Sequence, residues 1–283
     1  MSKKIIVTAD RACDLSDELI KRYDIHLMPF HVNLNDKNFI GDEEITPKDI
    51  FDAFNNTGSI AKTAARGIGD YMDFFSRWTE DGYDVIHITI SSKLSSAYQN
   101  CLAAKAELGD NLYIIDSKSL STGMGLIVVE VAQRVSKGIP AQTIVQQVEL
   151  LVDEVRAGFV IQNLSFLRAG GRCSAVAAIG ANLLSLKPSI AVEDGAMIVS
   201  KKYRGNWSKV VLQYVQETLG QYTHFRAERT FVTHSGVPQD IVDSVVKLVK
   251  SKKIFTDIIV TKAESTISCH CGPNVIGVLF LAK

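Results

Sequence analysis

The sequence predicts an α/β fold of two α/β domains, the first with a mainly parallel sheet and the second with a mixed sheet. Three observations predict it. In the first half, short β-branched runs alternate with amphipathic stretches, the pattern of strand–helix–strand units that build a helix-covered parallel sheet. In the second half, Asp194-Gly195 stands between two strand-like runs and signals a tight hairpin, so antiparallel pairing enters there. The 283 residues exceed what one core usually organises. The domains are expected at residues 1–152 and 153–283, the texture changing around Asp153 and Gly158.

Taken in order, KKIIVTAD reads as a strand ending at Asp10, and SDELIKRY as a helix with Ser16 as N-cap. IHLMPFHVNL is one strand region. TPKDIFDAFNN starts a helix, with Thr46 as cap and Pro47 at its first position. DYMDFFSRWTEDG is helical to about Gly82, DVIHITI is a strand, and SSAYQNCLAAKAELG is a helix ending at Gly109. NLYIIDS is a strand, followed by helices TGMGLIVVEVAQRVSKG and AQTIVQQVELLVDEVRAG. GFVIQ is a short strand, NLSFLRAGGR bends on paired glycines, and SAVAAIGANLLSL is an apolar helix. KPSIAVEDGAMIVSKKY is the hairpin and NWSKVVLQYVQETLGQY a helix. RTFVTHS, IFTDIIVTK and VIGVLFLAK are strands, with the helix QDIVDSVVKLVKSKK between the first two.

Composition narrows the function classes. The chain is 46% hydrophobic and 22% charged, an ordinary globular mixture. A formal net charge of zero gives no broad field for gathering nucleic acid or an anionic membrane. Five scattered cysteines suit reduced thiols in a cytoplasmic protein better than a disulfide frame. The apolar part of MSKKIIVTAD is too short for a secretion signal, and no run reaches the roughly 20 apolar residues that span a bilayer.

Ligands of parallel α/β sheets gather at the carboxyl ends of the strands. Those ends carry Asp10-Arg11, Ser91-Ser92 and Asp116-Ser117. The stretch SSKLSSAYQ holds four serines, more than one helix cap needs. Capping and turn formation account for any single one. As a group, hydroxyls beside helix N–H groups make an anion site suited to a carboxylate or phosphate in greasy surroundings. Thr63 falls between helices, where a turn role is the ordinary one. His270 precedes Gly-Pro and the last strand and is flanked by Cys269 and Cys271. One Cys-x-Cys without a second ligand cluster is weak grounds for zinc, and no metal is expected. Arg168 and Arg172 bracket the glycine turn, either as a solvated helix end or as cations offered to a partner or phosphate. Arg204, with Lys201 and Lys202, reads as a solvated hairpin edge. No G-x-S-x-G elbow and no G-x-x-x-x-G-K-[ST] loop occurs. GMGLIV lacks the third glycine of a dinucleotide fingerprint.

The segments TADRACDLS, ISSKLSSAYQ, IIDSKSLSTGMG, NLSFLRAGGR, LKPSI and HCGPNVIGVLF, in this order and spacing, resemble the DegV family of bacterial fatty-acid-binding proteins. Some members act as the lipid-binding subunit of fatty acid kinase. The resemblance runs end to end. It implies two α/β domains with a lipid between them, the tail in an apolar tunnel and the carboxylate against hydroxyls and a histidine. The head-group residues carried over are Thr63, Ser91, Ser92, Ser95 and His270, with Ser95 the preferred serine. Arg172 and Arg204 fall where the family meets the kinase or the phosphate. The chain departs from the family at Ala64-Ala65-Arg66, at Ser96-Ala97 and at Asp10-Arg11. The implied function is a carrier without its own catalysis and without a cofactor. It would bind a long-chain fatty acid, present the carboxylate to a separate kinase and retain the acyl-phosphate, with at most transient membrane contact. The alternative is a serine/histidine-dependent hydrolase or acyltransferase acting on a lipid, which needs a serine within reach of His270 and an orienting acid such as Asp116. Phe159, Ile161, Leu183, Leu184 and Ile190 are candidate tunnel walls, with core packing as the ordinary role of each.

Overall fold

A computed structural model describes residues 3–174 and 186–283. The apolar helix expected over 174–186 and the wall candidates Leu183 and Leu184 lie essentially outside the described residues. The first strand, β1 (Ile5–Asp10), is buried on both faces and ends in a 3-10 turn at Arg11–Cys13. The helix α1 (Asp17–Tyr23) begins where Ser16 accepts a hydrogen bond from the Leu19 N–H, and β2 (Ile25–Met28) follows.

Pro29 breaks the run expected to be one strand. After it the chain leaves the first sheet for a small antiparallel one, β3 (His31–Leu34) and β4 (Lys37–Ile40), joined through Asn35 and Asp36, both at positive φ. Asn and Asp tolerate that conformation at a hairpin turn. The helix α2 (Pro47–Thr57) starts on a capping box between Thr46 and Asp49. Next comes β5 (Lys62–Ala64), which pairs with β3 and places Thr63 opposite Val32. Thr63 therefore sits on a strand, not in the expected loop.

The amphipathic α3 (Ile68–Thr79), β6 (Asp84–Thr89), α4 (Ala97–Leu108) and β7 (Leu112–Asp116) complete the first layer set. Its four strands are parallel in the order β2-β1-β6-β7, with Val7 opposite both Ile25 and Ile86. The helix α5 (Ser121–Ser136) is buried almost throughout its first three turns. Its two glycines serve close packing: a Cβ at Gly123 would lie 2.8 Å from the Ala157 Cβ, and one at Gly125 2.8 Å from the Cys13 carbonyl. The helix α6 (Ala141–Val152) is shorter than the sequence suggested, because Val155 and Arg156 already form a strand, β8.

The second sheet is mixed. Its members are β8, β9 (Gly158–Ile161), β10 (Lys187–Glu193), β11 (Ala196–Tyr203), β12 (Phe225–Ser235), β13 (Asp257–Lys262) and β14 (Val275–Ala282). The order is β11-β10-β9-β14-β12-β13, with β8 also pairing with β14. Only β12 and β13 run parallel. The β10–β11 hairpin turns at Asp194 and Gly195, both at positive φ, as their residue types predict. Short helix α7 (Ser165–Gly170) follows β9. The helices α8 (Trp207–Gly220) and α9 (Gln239–Ser251) pack their apolar faces on this sheet. The helix α10 (Ser265–Cys271) enters between β13 and β14 and packs on α7 and α2. Among the described residues no helix is long and apolar enough to cross a membrane.

Candidate functional site

A cavity of about 380 Å³ lies between the two sheets, within the size range of small-molecule sites. Both halves line it. Phe30, Ile90 and Leu94 come from the first, and Phe159, Met197 and Leu279 from the second. Most of its exposed lining is apolar. The polar side chains of its wall include Thr63, Ser95, Ser96, Arg172 and His270, and Thr63 and His270 together mark one polar region of it.

The core of that region is a hydrogen bond of 2.7 Å between the Thr63 Oγ1 and the His270 Nε2. Two elements make it. Strand β5 holds Thr63 by pairing with β3, and α10 presents His270 from its last turn. Ser, Thr, Cys and His are weak helix formers, so α10 depends on partners outside it. Asp42 accepts from the Ser265 N–H at 2.7 Å, and Asp14 accepts from the Glu264 N–H at 2.9 Å. These two carboxylates satisfy N–H groups at the start of the helix that the helix cannot pair itself. Arg11 donates through Nε to Glu264 at 2.9 Å and lies 3.6 Å from Asp42. Burial pushes the Glu264 carboxyl up to about 7, helped by Asp42 and opposed by Arg11. Gly170 of α7 is the other requirement, since a Cβ there would stand 2.4 Å from the His270 Nδ1.

His270 is neutral at ordinary pH. Burial, and then the Arg172 guanidinium, hold its pKa down to about 4. When the imidazole donates from Nε2, the Thr63 hydroxyl keeps its proton for an anion in the cavity. A histidine whose folded pKa lies below its unfolded value of about 6.5 costs nothing above that pH. As pH falls from 6.5 towards 4 the unfolded chain takes up the proton first, and the folded chain loses stability. We expect wild type to lose about 2 kcal/mol more than His270→Asn between pH ~7 and ~4.5 in urea unfolding. Equal losses would mean that His270 titrates normally in the fold.

The remaining sequence candidates divide. Ser95 lines the cavity; its Oγ accepts from the Ala97 N–H at 3.2 Å, which leaves its own proton free. It sits just before α4 rather than in its first turn. Ser91 does not line the cavity; it is buried and donates to the Gly195 carbonyl at 2.7 Å, tying the serine loop to the β10–β11 hairpin. Ser92 does not line it either, and its N–H donates to Asp116 at 3.2 Å. Arg172 lines the cavity, is exposed, and donates to the Gly170 carbonyl at 2.8 Å. Arg204 is exposed beyond the end of β11 and away from the cavity wall. Of the wall candidates, Phe159 lines the cavity, whereas Ile161 and Ile190 are core. Arg66, one of the departures from the family pattern, turns away: it donates to the Pro29 carbonyl at 2.7 Å and meets His31 at 3.0 Å.

Asp10, expected on the ligand rim, is instead a buried hub. It accepts from the Tyr71 hydroxyl at 2.7 Å and the Ile90 N–H at 2.9 Å, and His87 Nε2 lies 3.3 Å away. Sequence reading passed over Ser121, Thr233, His234, Ser235 and Thr266, all on the cavity wall. The signal for Thr266 was its spacing of four from His270, which puts both on one helix face. Cys269 and Cys271 are buried thiols held protonated, Cys271 pushed up to about 12 mainly by burial. Among the described residues no three potential metal ligands cluster.

The fold and site define an α/β protein of one parallel and one mixed sheet, with a small antiparallel sheet beside them and a ligand-sized cavity lined by both halves of the chain. The sequence profile of the DegV family, itself described as uncharacterised proteins, matches residues 4–283, and the chain belongs to that family. A DegV domain-containing protein of Clostridium perfringens is 30% identical over 215 residues, covering 76% of this chain and 77% of that one. A fatty-acid-binding DegV family protein from Thermus thermophilus superposes with a TM-score of 0.90 at 24% identity, over 99% of this chain and 100% of that one. A stearic-acid-binding protein from Eubacterium ventriosum gives 0.87 at 23% identity, over 100% and 99% respectively.

Proposed function

We propose that the cavity holds a long-chain fatty acid, with its tail along the apolar wall and its carboxylate at Thr63, Ser95 and His270. The observation that carries this reading is the Thr63–His270 hydrogen bond at the polar region of an otherwise largely apolar cavity. Relatives of the same fold that bind fatty acids support it. The energetics divide the labour. About fifteen methylenes offer roughly 12 kcal/mol gross on burial. Association then costs an estimated 4–15 kcal/mol, and each hydrogen bond to the charged head adds about 1.5–3 kcal/mol. The tail sets affinity and the polar groups set orientation.

The same reading makes the chain a carrier that offers the carboxylate to a separate ATP-dependent kinase and keeps the acyl-phosphate. Exposed Arg172 stands beside the head-group region for that exchange, and Arg204 belongs to the partner-facing surface. The enzyme alternative requires a serine on His270 and an acid behind it. Here Nε2 bonds Thr63, Nδ1 has no partner, and Asp116 is engaged by the N–H groups of Ser92 and Lys118.

Lipid extraction and mass spectrometry of purified protein should yield a long-chain acid. Delipidated protein should bind hexadecanoic acid more tightly than its methyl ester. Thr63→Val and Ser95→Ala should shrink that preference roughly tenfold each while leaving ester binding nearly unchanged. A protein that carries no lipid and binds neither compound would overturn the proposal.

A further inference from the structure

Helix α10 presents His270 from its last turn and is fastened at its first. Arg11, in the turn after β1, grips the Glu264 carboxylate with two donors, Nε at 2.9 Å and Nη2 at 3.5 Å. Asp42, in the loop after β4, lies 3.6 Å from the same guanidinium and accepts from the Ser265 N–H at 2.7 Å. Asp14 accepts from the Glu264 N–H at 2.9 Å through one oxygen and from the Ser121 hydroxyl through the other. Ser121 opens α5 and lines the cavity. The end of the first sheet, the small antiparallel sheet, α5 and α10 thus meet in one polar cluster.

The cluster sets three carboxylates against one guanidinium where little water reaches. Asp14 is 1% exposed, and the side chains of Asp42 and Glu264 are 8% and 21% exposed. Asp17 of α1 and Glu43 beside Asp42 add negative charge, while burial keeps the Cys13 thiol protonated. Like charges this close and this dry do not all ionise together, so the cluster keeps a proton that separate carboxylates would lose. Burial and Asp42 favour Glu264 as its holder, with a pKa of about 7 against an ordinary 4.5. Between these values the unfolded chain has lost a proton that the folded chain retains, so stability falls as pH rises through the window. The protonated cluster is therefore the one that suits the folded position of α10.

His270 follows Glu264 by six residues, about 9 Å along the axis, so displacement of the helix start carries to its last turn. We propose that Arg11 and Glu264 are positioning residues for the head-group site, bracing the start of α10 so that its end holds His270 against Thr63. Neither residue lines the cavity. The inference rests on the fatty-acid reading and deepens it, since a brace with ionisable members makes retention of a carboxylate depend on pH. Above pH ~6.5 His270 is neutral, and burial shifts His234 the same way, so the dependence there reports the brace.

The test uses the delipidated full chain, with hexadecanoic acid and its methyl ester as probes. Between pH ~6.5 and ~8.5 wild type should lose about fivefold of its preference for the acid over the ester. Glu264→Gln should keep the low-pH preference throughout. Arg11→Met should lower the preference about fivefold at pH ~7. It should also move the midpoint of the pH dependence upward, because Arg11 favours the ionised form of Glu264. Arg11→Lys should restore part of both. A merely structural role would weaken acid and ester alike and leave the midpoint in place. A flat wild-type preference overturns the inference, as does wild-type pH dependence in Glu264→Gln, or an Arg11→Met variant equal to wild type in preference and midpoint. Failure of wild type to bind either probe would instead remove the fatty-acid reading on which it stands.

Discussion

Asp10→Ala is expected to destabilise the chain by about 3–5 kcal/mol, the cost of opening a fully buried, hydrogen-bonded charge site. Asp10 is 0% exposed, and its carboxylate is the acceptor for the Tyr71 hydroxyl and the Ile90 N–H. His87 stands beside it, held on its other side by Thr8 at 2.9 Å. Alanine strands each of these groups in a dry core. Thermal unfolding should shift down by roughly 10 °C at this chain length. The effect reaches the site, because Ile90 lines the cavity and opens the loop that carries Ser95. Asp10→Asn keeps an acceptor for Ile90 and should cost clearly less than alanine. A melting curve for Asp10→Ala within 2–3 °C of wild type would show that this hub does not organise the first sheet.

Gly277→Val is expected to cost at least about 3 kcal/mol, at the upper end of overpacking penalties, and to abolish ligand retention. A Cβ at Gly277 would lie 2.3 Å from the Gly158 carbonyl oxygen on the neighbouring strand. That obstacle is backbone, so no rotamer change relieves it. The strands must part, and Gly158 has no slack, since its own Cβ would stand 2.9 Å from the Ile190 carbonyl. Both glycines line the cavity, so the added branches also invade it. Gly220→Ala is the matched control, because nothing lies within 4 Å of a Cβ there. It should be neutral or stabilise by up to about 1 kcal/mol through backbone entropy. Urea titrations of the two variants check the contrast. Similar midpoints for both would refute the account of the β9–β14 contact.

The parts of this fold that were legible in the sequence are those set by local chemistry. Ser16 and Thr46 cap their helices, and Asp194-Gly195 turns its hairpin. The strand runs ending at Asp10, Thr89 and Asp116 lie in one parallel sheet. What escaped depends on partners far along the chain. Helix α10 has no strong formers and relies on carboxylates 223 and 250 residues away. Strand β5 has three residues, too few for any periodicity, and is defined by pairing with β3. Of the four serines that pointed to an anion site, Ser95 and Ser96 face the cavity. Ser91 is spent on Gly195, 104 residues on, a distance no local pattern encodes. The meeting of Thr63 with His270, 207 residues apart, was legible only through the family resemblance.

Strand β14 follows every other strand of its sheet in chain order, yet lies between β9 and β12. During synthesis the earlier strands must therefore wait as two separated groups, each with a bare apolar edge, until this segment slides between them. Closure of the cavity and completion of the sheet are thus one late event. A nascent chain stalled ahead of Val275 should be a target for chaperones and unable to retain lipid.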